Sequence, residues 1–194
     1  EFPFSEDSYK TLDWMAKNKL NYLLTWMKYY DDLSDELKQA ARDRGIVIES
    51  GHHNFDYWIP AAKYYREHPE FFAEINGTRI KPEKHETSRL LGKQLCTTNK
   101  ELRAELVRNL KKYHEEHPEV TYLGLNPNDG FGWCECENCV AQDPPEERKK
   151  GIVSTRYWRF ANAVFAEIVK EYPQAKFCGE SYQTYSRGFI SSSP

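Results

Sequence analysis

Four compact apolar runs, each bounded by turn or polar residues, predict short buried strands: residues 20–26 (LNYLLTW), 46–49 (IVIE), 120–125 (VTYLGL) and 176–178 (KFC). Between and before them the hydrophobic residues recur at helical spacing. Leu102, Leu106, Leu110 and Tyr113 follow a Thr98-Asn99-Lys100-Glu101 capping box. Tyr157, Ala161, Val164, Phe165 and Ile168 follow Ser154 and Thr155, and Tyr172-Pro173 ends that helix. Ser34 caps a third helix, with Asp35 and Glu36 in its first turn and Gly45 just past its end. Tyr9, Leu12, Met15 and Ala16 predict a fourth, ahead of the first strand.

Helices alternating with strands imply an α/β fold with parallel strands and right-handed crossovers, in either a doubly wound sheet or a (β/α) TIM-type barrel. No glycine-rich nucleotide loop follows any strand, which weakens the first option. A full barrel needs about 250 residues and eight strands, so four strands amount to half of one. The whole chain, 1–194, reads as one partial barrel domain. Asn76-Gly77 reads as a hairpin turn, and the sequon Asn76-Gly77-Thr78 matters only in a eukaryotic secretory protein.

Composition narrows the function classes. With 39% hydrophobic and 29% charged residues the chain is that of a globular domain. No apolar run is long enough for a membrane span, and Glu1-Phe2-Pro3-Phe4 carries no signal-peptide pattern, which leaves room for a start further upstream. The net charge of −3 comes from intermixed charges, so neither a nucleic-acid groove nor an anionic membrane surface is expected as partner. Aromatic residues, at 14%, are abundant and crowd the segments after the strands. Most aromatics in any protein are core, yet flat rings also cover the C–H faces of sugars.

Ligands in both architectures bind at the carboxyl ends of the strands. Each of these ends is polar and aromatic together: Trp26 after the first, His52-His53 after the second, Asn128-Asp129 and Trp133 after the third, and Glu180 and Tyr182 after the fourth. Such a lining suits a polyhydroxylated ligand. Asn128-Asp129 sets an amide beside a carboxylate, as acid catalysis on a glycosidic bond would use, although Asn-Asp-Gly is also a turn sequence. Glu180 is the second carboxylate candidate, reading equally as a solvated loop glutamate, and Glu49, inside or just beyond its strand, is a weaker third. His52 and His53 fit hydroxyl binding better than metal, and on an extended chain only one of them would face the site.

Cys134-x-Cys136-x-x-Cys139 brings three sulfurs into one loop, with Cys96 or a histidine as a fourth ligand for structural zinc. A disulfide within the trio, or no bond at all, competes with zinc, and the odd total of five cysteines fits poorly with full disulfide pairing. No helix start or basic partner is evident that would activate a catalytic thiol.

The segments "REHPEFFAEINGTR", "QLCTTNKELRAELVRNL", "LGLNPNDGFGWCECENC" and "STRYWRFANAVFAEIVKEYP" closely resemble the domain of unknown function 4838 family. That family is associated with TIM-barrel glycoside hydrolases, including the endo-β-N-acetylglucosaminidases of glycoside hydrolase family 163, which cut N-glycans in the chitobiose core. The resemblance implies a bacterial, extracytoplasmic hydrolase of glycans that requires no cofactor. It implies that residues 2–4 are the remnant of an earlier strand and that the rest of the barrel comes from a parent chain, without which this piece is inactive. It further implies substrate-assisted hydrolysis, with Asp129 and Glu180 dividing the roles of proton donor and acetamide-polarising group, or else a nucleophile on a late strand outside this chain. A non-catalytic glycan-binding domain and a zinc-knuckle interaction module are the alternatives from other classes.

Overall fold

The computed structural model describes residues 6–81 and 94–186 of the 194. The strand remnant expected at residues 2–4 lies outside them. In chain order the elements are α1 (Glu6–Lys17), β1 (Tyr22–Thr25), α2 (Met27–Asp31), α3 (Asp35–Asp43), β2 (Val47–Ser50), α4 (Phe55–Trp58), α5 (Ala61–Tyr64), β3 (Glu74–Ile75), β4 (Thr78–Arg79), α6 (Lys100–Glu116), β5 (Tyr122–Gly124), α7 (Glu137–Val140), α8 (Pro145–Arg148), α9 (Ser154–Val169) and β6 (Lys176–Cys178).

All four strands read from the sequence form one sheet in the order β1-β2-β5-β6, and every pairing in it is parallel. The fold is α/β. The spatial order repeats the order along the chain, without the reversal that creates the switch point of a doubly wound sheet. A separate hairpin, β3-β4, turns through Asn76 and Gly77, whose φ angles of 50° and 75° are the left-handed pair that such a turn requires.

The helical periodicities are realised. Leu102, Leu106, Leu110 and Tyr113 of α6, and Tyr157, Ala161, Val164 and Ile168 of α9, are all buried in one core with Leu37 and Ala41 of α3. Leu12 and Met15 of α1 join them, while Tyr9 and Ala16 face solvent. The caps differ in detail. Ser34 caps α3 by accepting from the Leu37 N–H, as expected. The cap of α6 is Asn99, one residue later than the capping box placed it, because the Thr98 hydroxyl is turned toward Cys139 instead. Neither Ser154 nor Thr155 caps α9: the Glu147 carboxylate accepts from both the N–H and the hydroxyl of Thr155. A carboxylate at a helix start is also favoured by the helix dipole.

Register divides the sheet into two faces, since residues paired across parallel strands point the same way. Leu23, Thr25, Ile48, Ser50, Leu123 and Phe177 face the helices: Ser50 donates to Met27 Sδ, and Phe177 stacks on Phe165 of α9. Tyr22, Leu24, Glu49, Tyr122, Gly124 and Cys178 line the other face, where Tyr22 and Leu24 remain 46% and 41% exposed.

At the top of β5 the backbones of adjacent strands nearly touch. A Cβ on Gly124 would lie 2.7 Å from Gly51 Cα and 3.0 Å from Gly51 O. Backbone cannot step aside as a flexible side chain would, so Gly124→Ala is expected to lower stability by about 2 kcal/mol. A urea denaturation series on both proteins checks this through the shift in midpoint at unchanged slope.

Candidate functional site

The chain crosses from β2 to β5 to β6 through a knot of buried asparagines. Asn126, just beyond β5, is fully buried and acts as a hub. Its amide nitrogen donates to Gly51 O at 2.5 Å, and its amide oxygen accepts from Glu180 N at 2.7 Å and from the Tyr157 hydroxyl at 3.4 Å. Its backbone N–H donates to Asn54 Oδ1 at 2.7 Å, and the Asn54 amide in turn donates to Gly124 O at 2.9 Å. Three strand ends are thereby locked to one another, which is the condition for holding side chains from different loops in fixed relation.

On this platform six of the residues singled out in the sequence come together. His52 Nδ1 lies 2.5 Å from Glu180 Oε1. His53 Nε2 lies 3.8 Å from Asp129 Oδ1. The two imidazole rings are 4.1 Å apart, Trp26 stands edge-on to His52 at 4.5 Å, and Tyr182 lies 5.8 Å from His53. Both histidines therefore border the site, contrary to the expectation that only one would. The reason is conformational: His53 adopts φ of 40°, so the pair is not extended and its side chains do not alternate.

Tautomers follow from the partners. The Pro127 carbonyl can only accept, so His53 Nδ1, 2.8 Å away, carries the hydrogen and donates it. This leaves Nε2 facing Asp129 as an acceptor in the neutral ring and a donor in the protonated one. An ionised Glu180 likewise accepts from His52 Nδ1–H and leaves the His52 Nε2 lone pair free. Each reacting carboxylate candidate thus has its own imidazole, and the two differ in setting. Glu180 is held in contact, whereas the Asp129 side chain is 55% exposed and lies further from its imidazole.

Two other expected residues are placed elsewhere. Trp133 lies in the core against Tyr157 and Tyr185, with its indole N–H donating to Thr184 Oγ1, so it does not line the cleft. Asn128 is 2% exposed and its side-chain oxygen accepts from Asp56 N, which makes it a brace under the loop rather than a group aimed into the cleft. Its backbone is clasped from both sides by Gln94, whose side chain donates to Asn128 O at 2.7 Å and accepts from Asn128 N at 3.0 Å. Neither Gln94 nor Asn126 stood out in the sequence, where an isolated amide carries no periodicity and no motif.

Glu49 gains weight. It ends β2 on the face away from the helices, almost wholly buried, where its carboxylate accepts from the Tyr22 hydroxyl and from the Cys178 thiol at 2.6 Å. Burial pushes its pKa up; the Cys178 hydrogen bond opposes this, nearby Glu180 adds to it, and His52 opposes it. Alternation was the available signal: Glu49 falls out of phase with Ile48 and in phase with Leu24 across the strand pair. Burial together with the Glu49 carboxylate pushes the Cys178 thiol up, which keeps it a donor. The sign for stability is that of a proton bound more tightly by the folded chain. Glu49 favours folding below its ordinary value of 4.5, and this contribution is lost as pH rises through the raised folded value. Glu49→Gln is accordingly expected to flatten the decline of the urea midpoint with rising pH above 4.5, relative to the wild type.

Tyr185 packs in the core against Trp133 and Tyr157. It is buried, yet its hydroxyl has no hydrogen-bond partner among the described residues, and burial, Glu180 and Asp129 together push its pKa up. A buried donor without a partner is costly unless something supplies one.

Parallel strands bring carboxylates, imidazoles and aromatic rings to one shared end, so the chain is an α/β domain whose candidate site lies at the carboxyl ends of its strands. The chain belongs to the family described as domain of unknown function (DUF4838), whose sequence model matches residues 4–188. A comparison with curated proteins finds no match. Among the described residues no helix is long and apolar enough to cross a membrane.

Proposed function

We propose that the cleft bounded by Trp26, His52, His53, Asp129, Glu180 and Tyr182 belongs to a glycoside hydrolase that acts on β-linked N-acetylglucosamine in glycans. The observation that carries this reading is the pair of carboxylate–imidazole contacts, Glu180 with His52 and Asp129 with His53, at the carboxyl ends of adjacent parallel strands and flanked by aromatic rings. Two carboxyl groups beside one sugar are what acid-assisted glycosidic cleavage needs. Trp26 and Tyr182, each more than 40% exposed, offer ring faces for the sugar.

The roles divide by exposure. Glu180, fixed by His52 and by its own N–H on Asn126, suits polarisation of the substrate's acetamide, which then attacks the anomeric carbon. Asp129, exposed and backed by His53, suits delivery of a proton to the leaving oxygen, and the histidine can restore that proton. Localisation outside the cytoplasm accords with a glycan substrate.

The sheet is read as half of a TIM-type barrel. Sequential strand order and a half-exposed row of Tyr22, Leu24 and Trp26 on the face away from the helices support this, since that face would be the barrel interior. Further strands of the parent polypeptide would cover the row and close the site. Activity is therefore expected of the parent polypeptide and not of residues 1–194 alone. Digestion of an N-glycopeptide by the parent polypeptide, followed by mass spectrometry, tests the reading.

A further inference from the structure

A second core, separate from the main one, gathers Ala73, Cys96, Cys134 and Cys139, with Cys136 packed against it. All five cysteines of the chain are free thiols, so the disulfide alternative is not realised. The sulfurs of Cys96, Cys134, Cys136 and Cys139 lie within 4.8 Å of one another. Two of the separations are 3.8 Å, from Cys96 to Cys136, and 3.7 Å, from Cys96 to Cys139. Four thiolates at about 2.3 Å from a tetrahedral ion sit about 3.8 Å apart, so the spacing is that of a tetrahedral tetrathiolate site.

We propose that Cys96, Cys134, Cys136 and Cys139 bind one structural zinc ion that staples the β3-β4 hairpin region to the loop carrying Asn128 and Asp129. The set is all sulfur and has four members, which selects zinc or iron over oxygen-seeking ions and leaves no open position for chemistry. Three of the four are buried and Cys136 is half-buried, so the ion is shielded while one side stays open for loading.

The surroundings are those of a thiolate site. Glu74 N donates to Cys134 Sγ at 3.3 Å, and the Arg79 guanidinium lies 3.5 Å from the same sulfur. The Thr98 hydroxyl is 3.2 Å and the Thr97 hydroxyl 3.6 Å from Cys139 Sγ. Four thiolates around a dication leave two negative charges, and Arg79 stands where it offsets part of them. Arg79 is a basic partner that the sequence did not reveal, because the hairpin brings it to Cys134 from 55 residues away.

The ion would act on the site through the backbone. Gln94, two residues before Cys96, clasps Asn128, and its N–H donates to Gly132 O at 3.1 Å. Glu135 N donates to Glu74 O at 2.7 Å between two of the cysteines. Fixing the sulfurs thus fixes both sides of the loop that presents Asp129.

The test reads metal rather than activity, so its failure is independent of the reading of the cleft. The chain is purified without chelator and its metals are measured by elemental mass spectrometry, with native thiol titration alongside. The expected result is one zinc per chain, four thiols that react only after a strong chelator is added, and tetrathiolate visible bands when cobalt replaces zinc. Arg79→Ala is expected to lower zinc affinity about 10- to 100-fold while the chain stays folded by circular dichroism. Cys136→Ala and Cys139→Ala are expected to lose the zinc, and Cys178→Ala to keep it. Three outcomes would overturn the proposal: negligible zinc after growth in zinc-supplemented medium with all thiols reactive at once, stoichiometric iron in its place, or zinc unchanged in both Cys136→Ala and Cys139→Ala.

Discussion

Asp129→Asn and Glu180→Gln, made separately in the parent polypeptide, are each expected to lower turnover of a β-N-acetylglucosaminide by about 10²- to 10⁴-fold, the range for loss of a general acid or base. Substrate affinity should stay within a few-fold, because the amides keep the volume and most hydrogen-bonding capacity of the carboxyls while removing the proton and the charge. The two variants should differ in pH behaviour. Asp129 is the proposed proton donor, so its replacement should remove the limb of the rate profile that reports a protonated acid and restore part of the rate for substrates whose leaving group needs no proton. Glu180→Gln should leave that limb in place and lower the rate for every leaving group alike. A non-catalytic glycan-binding domain would respond otherwise: with no turnover to lose, it would show only small changes in affinity in either variant. Steady-state kinetics with an activated and an unactivated leaving group, beside a titration calorimetry measurement of affinity, separates these cases.

Much of this site was legible as positions and little of it as directions. The period of Leu102, Leu106, Leu110 and Tyr113, and the apolar runs that became the four strands, carry their own geometry. Knowing the strands gave their carboxyl ends, and Trp26, His52, His53, Asp129, Glu180 and Tyr182 followed from that rule. Side-chain direction at a strand end depends on one or two dihedral angles that no pattern encodes. His53 with its positive φ turned to the same site as His52, where only one of the pair was expected, and Trp133 turned into the core. The buried amides were invisible for a different reason. Asn126 and Gln94 matter because of backbone groups far away in the chain, and such partners exist only once the sheet has brought them together. The four cysteines lay between these extremes: their spacing named the trio, and the fold then brought Cys96 and Arg79 beside it.

The second large effect is expected at Asn126. Asn126→Ala removes a donor to Gly51 O and an acceptor for Glu180 N and for the Tyr157 hydroxyl, all in a place with no exposure to water. Each buried partner left unsatisfied costs about 1–3 kcal/mol, so a loss of about 3 kcal/mol is expected in the denaturation free energy. The loss should be accompanied by weaker control of Glu180, whose backbone N–H is anchored there. Asn126→Asp distinguishes the two halves of the hub. The carboxylate keeps the acceptor for Glu180 N and loses the donor to Gly51 O, and it places a like charge close to Glu180 and Glu49. It should destabilise the chain most at neutral pH and recover as the carboxylate is protonated. Urea titrations of wild type and both variants at acidic and neutral pH check the order: wild type most stable throughout, with Asn126→Asp converging on it only at the acidic end.

The proposed chemistry is tested most directly by mass spectrometry of an N-glycopeptide incubated with the parent polypeptide. The expected result is cleavage within the chitobiose core into two products whose masses together exceed the substrate by one water, with one N-acetylglucosamine left on the peptide. An intact glycopeptide after prolonged incubation with folded protein across the mildly acidic to neutral range, or equal cleavage by Asp129→Asn, Glu180→Gln and wild type, would contradict it.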